Sequence, residues 1–144
     1  MVSPVRARPA DDGTPLKVLV VDDMRTMQML VRTYLVGRNY DFAYASSGRE
    51  AIEKARAEGP RLVISDLRMP DMSGDELCAA LRREPGLSRV PFILMSSDAG
   101  SVEARRAAIR CGADALVAKP LDSAMLTKVV EVVLRGGRLT PPPP

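Results

Sequence analysis

The 144-residue sequence predicts an α/β fold, a three-layer sandwich in which helices cover both faces of a five-stranded parallel sheet. Two observations predict it. Five short apolar runs alternate along the chain with five stretches of helical period, the pattern of βαβ units whose right-handed crossovers set strands parallel. The runs are apolar throughout instead of alternating apolar with polar, as strands buried on both faces are. A third observation points to function: several runs end on Asp, Ser or Lys, at the rim where open α/β sheets bind ligands.

The elements follow in order. Lys17 to Val21 is a β-branched run, and Met24 to about Val36 has helical spacing through Met27, Leu30, Val31, Tyr34 and Leu35. Tyr40 to Ala45 is a second strand. Ser47 caps a helix carrying Ala51, Ile52 and Ala55, and Gly59-Pro60 stops it. The third strand, Leu62 to Ser65, ends at Asp66, and Ser73 to Glu84 forms the third helix. Phe92 to Met95 is the fourth strand, and Ser101 to Cys111 a helix closed by Gly112. Ala115 to Ala118 is the fifth strand, and Asp122 caps a last helix that runs to about Arg135. Residues 1–15 read as a disordered leader, 16–136 as one folded domain and 137–144 as a Pro-rich extended tail.

Composition narrows the function classes. Apolar residues make up 46% of the chain but aromatics only 3%, so a reader of single-stranded nucleic acid by base stacking is disfavoured. The net charge of +3 is small and the basic residues are interspersed with acids, which gives no footprint for nucleic acid. Cys78 and Cys111 stand alone, with no Cys-x-x-Cys spacing and no His to complete a zinc set. They read as packed thiols of a reducing compartment. No apolar run approaches the roughly 20 residues that span a bilayer, so a cytoplasmic protein is expected. With no His at all, the chain is neither a histidine kinase nor a Ser-His-Asp hydrolase, and any phosphohistidine must come from a partner.

The strand ends carry the chemistry. They read Val21-Asp22-Asp23, Ser65-Asp66, Met95-Ser96-Ser97 and Ala118-Lys119-Pro120. On one rim these would gather three carboxylates, a hydroxyl and an ammonium. Carboxylates about 4 Å apart repel by about 4 kcal/mol per pair at an effective dielectric near 20, so the set calls for a counter-ion. Mg²⁺ suits it, with Mn²⁺ as the alternative: a hard cation takes oxygen ligands and neutralises charge on a transferring phosphoryl group. Asp66 is the expected phosphoryl acceptor.

The segments Val18 to Asp23, Asp66-Leu67-Arg68-Met69-Pro70-Asp71-Met72-Ser73-Gly74, Pro91 to Ser96, Gly112-Ala113 and Lys119-Pro120 resemble the CheY-like receiver domains of bacterial two-component response regulators. The resemblance spans about residues 16–136 and implies strand order 2-1-3-4-5. It implies that Asp66 attacks a phosphohistidine of a sensor histidine kinase or His-phosphotransfer protein. By the same resemblance Asp22, Asp23, Asp66 and the Arg68 backbone carbonyl hold the metal, Asp22 through a coordinated water. Lys119 would bind phosphoryl oxygen across a cis bond to Pro120, and Ser96 would be the switch hydroxyl. The chain would then be no enzyme beyond its own phosphorylation and dephosphorylation.

One position departs from that pattern. Where the family couples the switch to an aromatic residue, this sequence has Leu116, so a shift of the loop after Ser96 and of the fourth helix is expected in place of a swinging ring. Arg68 and Asp98 flank the acceptor and are expected to pair across it and slow hydrolysis of the acyl phosphate. Arg105, Arg106 and Arg110 read as a solvated face, Met24 as exposed and Met27 as core. A haloacid-dehalogenase-type phosphatase needs a second Asp where Arg68 stands, and a flavodoxin-like cofactor site would be repelled by Asp22-Asp23. With no further domain after Arg135, the expected protein is a stand-alone receiver, a monomer or phosphorylation-dependent dimer. It would signal through a contact with an unidentified downstream protein, without direct nucleic-acid or membrane binding. A phosphorylation-independent scaffold and a receiver cut from a larger regulator are the alternatives.

Overall fold

The computed structural model describes residues 13–143; most of the leader, residues 1–12, and the last proline lie outside the described residues. Strands β1 (Leu16–Val21), β2 (Tyr40–Ala45), β3 (Leu62–Asp66), β4 (Phe92–Ser96) and β5 (Ala115–Ala118) alternate with helices α1 (Arg25–Leu35), α2 (Gly48–Glu58), α3 (Gly74–Arg82), α4 (Val102–Cys111) and α5 (Ser123–Leu134). All pairings are parallel and the order is β2-β1-β3-β4-β5, as expected. Residues Asp66 and Ser96, read as following their strands, are the last residues of β3 and β4.

The sheet divides the core in two. Leu19, Val21, Val63, Phe92 and Leu94 face α2, α3 and α4, where Ala51, Leu77, Leu81 and Ala108 meet them. Val18, Val20, Ile64, Ile93 and Met95 face α1 and α5, against Val31, Leu35, Leu126 and Val130. Burial on both faces explains why the runs are apolar throughout, and each fully buried Leu, Ile or Phe contributes about 1.5–3 kcal/mol. Met27 packs on the second cluster and Met24 is 56% exposed.

Four of the five helix starts are fixed by side-chain caps, α1 having none at Met24. Ser47, Ser101 and Asp122 each accept a backbone N–H three residues on, and Ser73 with Glu76 forms a reciprocal capping box on α3. Asp71 ties the β3–α3 loop to α2: its Oδ1 accepts Gly48 N at 3.0 Å and its Oδ2 accepts Arg49 N at 2.9 Å. These donors hold the Asp71 carboxyl below its usual range, the Arg49 and Gly48 amides first. A depressed folded-state pKa adds stability above the unfolded value of 3.8 and loses it as pH falls further. Asp71→Ala is therefore expected to lower the urea midpoint at pH 7 and to lose that deficit progressively as pH falls below 3.8.

Candidate functional site

Register brings the strand ends to one rim. Val21 pairs with Ser65, Asp66 with Met95, and Ser96 with Ala118, so the residues that follow or end these strands stand side by side. The loops are held to the sheet by backbone bonds: Asp22 N to Ala45 O at 3.1 Å, Leu67 N to Met95 O at 2.8 Å and Lys119 N to Ser96 O at 2.9 Å. The Lys119–Pro120 bond is cis.

On that rim Asp22, Asp23 and Asp66 each offer a carboxylate oxygen within 4.8 Å of the others. Asp22 is fully buried, Asp66 nearly so, and Asp23 is exposed. Lys119 Nζ lies 3.3 Å from Asp22 Oδ2 and 3.2 Å from Asp66 Oδ1, bridging the two buried acids. Asp22 Oδ1 accepts Met24 N at 2.9 Å. Burial raises the Asp22 carboxyl above its usual range; the Met24 amide and Lys119 pull it back, and the Asp66 charge pushes it further up. One ammonium against three clustered carboxylates leaves an excess of negative charge open to solvent on the Asp23 side. An all-oxygen set that keeps one exposed ligand fits a hard divalent cation that retains waters.

Ser96 sits on the same rim, nearly buried, and its Oγ accepts Asp98 N at 3.0 Å. Leu116 lies in β5 on the α4 side, partly buried against the first core cluster. Arg68 and Asp98 are exposed and line one cleft of about 450 Å³ with Ser96 and Ser73, between the starts of α3 and α4. Among the described residues no ion pair joins Arg68 to Asp98, so the expected pairing across the site is absent in this state. Arg105, Arg106 and Arg110 are solvent-exposed.

Two positioning residues escaped the sequence reading. Gln28 is buried in α1, and its Nε2 donates to Asp22 O at 2.8 Å, Ala45 O at 3.2 Å and Ser46 Oγ at 3.4 Å, fastening the Asp22-Asp23 turn to the end of β2. Its signal was a polar residue between Met27 and Leu30 on the buried side of an amphipathic helix. Gln28→Leu is expected to cost about 1–3 kcal/mol by stranding buried carbonyls, measurable as a lower denaturant midpoint. Gly74, whose N donates to Leu67 O at 2.8 Å, lies so close that a Cβ would stand 2.2 Å from the Asp66 carbonyl oxygen. Only glycine lets α3 start against the end of β3.

Comparison with known proteins agrees with this geometry. The family model for the response regulator receiver domain matches residues 18–131. Among curated proteins, the "Probable transcriptional regulatory protein TcrX" of Mycobacterium tuberculosis is 38% identical over 125 residues, covering 86% of this chain and 49% of that protein. The "Probable transcriptional regulator ycf27" of Pyropia yezoensis is 37% identical over 119 residues, 83% of this chain and 47% of that protein. The chain thus spans about half the length of these relatives. Among solved structures, the chemotaxis response regulator CheY4 of Vibrio cholerae superposes with a TM-score of 0.78 at 31% identity, over 84% of this chain and all of that one. A CheY-like receiver domain protein from Methanospirillum hungatei gives 0.76 at 26% identity, over 85% of this chain and 96% of that one. No helix among the described residues is long and apolar enough to cross a membrane. The family match over most of the chain, on a fold that brings Asp22, Asp23, Asp66 and Lys119 to one rim, places this chain among the receiver domains of response regulators.

Proposed function

We propose that this receiver accepts a phosphoryl group on Asp66 from a phosphohistidine of a partner, a sensor histidine kinase or His-phosphotransfer protein, and signals by a phosphorylation-dependent protein contact. The observation that carries the reading is Lys119 Nζ set 3.2 Å from Asp66 and 3.3 Å from buried Asp22, within a three-carboxylate cluster. An Asp66 carboxylate oxygen forms the new O–P bond while the P–N bond breaks. Its electron pair goes to the imidazole nitrogen, which leaves as neutral imidazole after proton exchange with solvent. Lys119 offers an N–H donor to the phosphoryl oxygens, and Ser96 gives up Asp98 N to donate its hydroxyl to the same group. Asp22, Asp23, Asp66 and the Arg68 carbonyl would hold Mg²⁺, which supplies charge neutralisation when bound. The chain catalyses nothing beyond gaining and losing this group, and it acts in the cytoplasm, where such kinases present their phosphohistidine.

The transcriptional roles in the relatives' names belong to proteins about twice as long. Only the receiver step is carried over here. The test is phosphotransfer from a panel of autophosphorylated histidine kinases of the source organism: label passes to the chain with Mg²⁺, and neither EDTA-treated protein nor Asp66→Ala takes it. A chain that takes no label from any kinase, and whose partner binding is the same in the parent and in Asp66→Ala, is a scaffold.

Two consequences follow for the response. With Leu116 at the switch position, beryllofluoride binding is expected to displace the loop after Ser96 and the start of α4, and paired structures without that displacement contradict it. Arg68 and Asp98 flank the path of hydrolytic water in the shared cleft, so a variant with Ala at both positions is expected to lose its acyl phosphate faster than the parent. An unchanged decay rate removes them from that role.

A further inference from the structure

The residues that would hold the metal stand on two separate pieces of chain, the Asp22-Asp23 turn and the end of β3 with the loop after it. Both pieces are fastened to a third, the turn between β2 and α2, which gives no residue to the carboxylate cluster. On the first side Asp22 N donates to Ala45 O at 3.1 Å, and Gln28 Nε2 donates to Asp22 O at 2.8 Å, Ala45 O at 3.2 Å and Ser46 Oγ at 3.4 Å. Gln28 is buried, so water does not compete for these bonds. On the other side Asp71, three residues after Arg68, accepts Gly48 N on Oδ1 at 3.0 Å and Arg49 N on Oδ2 at 2.9 Å. The loop also packs here: a Cβ on Gly48 would stand 2.1 Å from Met72 Cγ, so the bare glycine leaves Met72 its place.

The turn between the two attachments is itself fixed. Ser47 Oγ accepts Glu50 N at 3.1 Å, and Glu50 Oε1 accepts Ser46 N at 2.7 Å. The links therefore run in series, from Asp22 through Gln28 to Ala45 and Ser46, then through Gly48 and Arg49 to Asp71 and the loop that carries the Arg68 carbonyl. Mg²⁺ demands near-ideal octahedral geometry with oxygens at about 2.0–2.1 Å. An oxygen set divided between two pieces of chain meets that demand only where their separation is held.

We propose that Gln28 and Asp71 are positioning residues of the metal site, acting together through the β2–α2 turn to hold the Asp22-Asp23 turn at a fixed distance from the Asp66–Arg68 segment. The proposal rests on the metal reading above. The test is titration of the full chain with Mn²⁺, followed by loss of the EPR signal of the free ion, with urea midpoints measured on the same proteins. Expected is Mn²⁺ affinity about tenfold weaker in Gln28→Leu and in Asp71→Ala. The double variant should also be weaker by only about tenfold, because breaking either link of a series already frees the two pieces. Asp71→Asn loses the charge but keeps an oxygen acceptor, and should stay closer to the parent than to Asp71→Ala. Val133→Ala, a fully buried change near the far end of α5, should lower the urea midpoint and leave the affinity unchanged.

Losses that multiply to about a hundredfold in the double variant overturn the shared path. Asp71→Asn as weak as Asp71→Ala overturns positioning in favour of charge, and an equal loss in Val133→Ala overturns it in favour of global stability. Single variants that bind Mn²⁺ as the parent does overturn it outright. Asp71 is exposed, so its two variants decide the matter where Gln28→Leu does not fold. A parent chain that binds no Mn²⁺ overturns the metal reading, and this proposal with it.

Discussion

Asp66→Asn is expected to abolish phosphoryl acceptance and, in EDTA at neutral pH, to make the domain more stable than the parent. Two carboxylates lie within 4.8 Å of Asp66 and one ammonium at 3.2 Å. At an effective dielectric near 20 each repulsion is worth about 3.5 kcal/mol or more, and the attraction about 5 kcal/mol, so repulsion outweighs attraction. Asp23 is exposed and screened by solvent, which reduces the net gain on neutralising Asp66 to about 1 kcal/mol. Thermal unfolding of parent and variant in EDTA should then differ by about 3 °C in the variant's favour. Mg²⁺ should raise the parent's midpoint much more than the variant's, because a ligand stabilises in proportion to its affinity for the folded state. A variant less stable than the parent, with an undiminished response to Mg²⁺, contradicts this electrostatic picture.

Lys119→Met has the opposite expectation. Its ammonium is, among the described residues, the one cation that bridges Asp22 and Asp66, with its side chain only 17% exposed and Asp22 fully buried. Removing it leaves a buried carboxylate uncompensated, at a cost of about 3 kcal/mol in EDTA near pH 7. Mg²⁺ should recover much of that loss by supplying the missing positive charge. Phosphoryl acceptance should stay about 10²–10³-fold slower even with saturating Mg²⁺, because the donor aimed at the phosphoryl oxygens is gone. Urea midpoints with and without Mg²⁺, beside labelling rates from acetyl phosphate, separate the two effects. Full recovery of the rate by Mg²⁺ would reduce Lys119 to a charge balance for the resting site.

The fold was legible because its signals are local. The run Leu62 to Ser65 is apolar on both faces and β3 lies in mid-sheet, while Ser47, Ser73, Ser101 and Asp122 cap the helices they were read to start. The carboxylate cluster was legible because its members punctuate strands, and a parallel sheet puts all strand ends on one rim. What stayed hidden depends on contacts far apart in the chain. Gln28 reaches Ser46 and Ala45, eighteen and seventeen residues away, and reads as one more polar residue in a helix until the turn it holds is seen. Gly74 looks like a helix-starting residue; its constraint is the Asp66 carbonyl beneath it. The buried Asp114 accepts Phe92 N at 2.9 Å and draws in Arg82 and Arg138, yet in sequence it is a lone acid before a short strand. The fold-back after Gly136-Gly137 was hidden for the same reason, since its acceptors, the carbonyls of Ala113 and Asp114, lie at the start of β5.

The measurement that bears most directly on the central claim is chemical. The chain is incubated with acetyl phosphate and Mg²⁺, the product is trapped by borohydride reduction of any acyl phosphate, and the modified residue is located by peptide mass mapping. Expected is conversion of Asp66 to homoserine, dependent on Mg²⁺ and absent in Asp66→Asn. Modification of Asp22 or Asp23 in place of Asp66, or an unmodified chain at saturating acetyl phosphate, contradicts Asp66 as the acceptor.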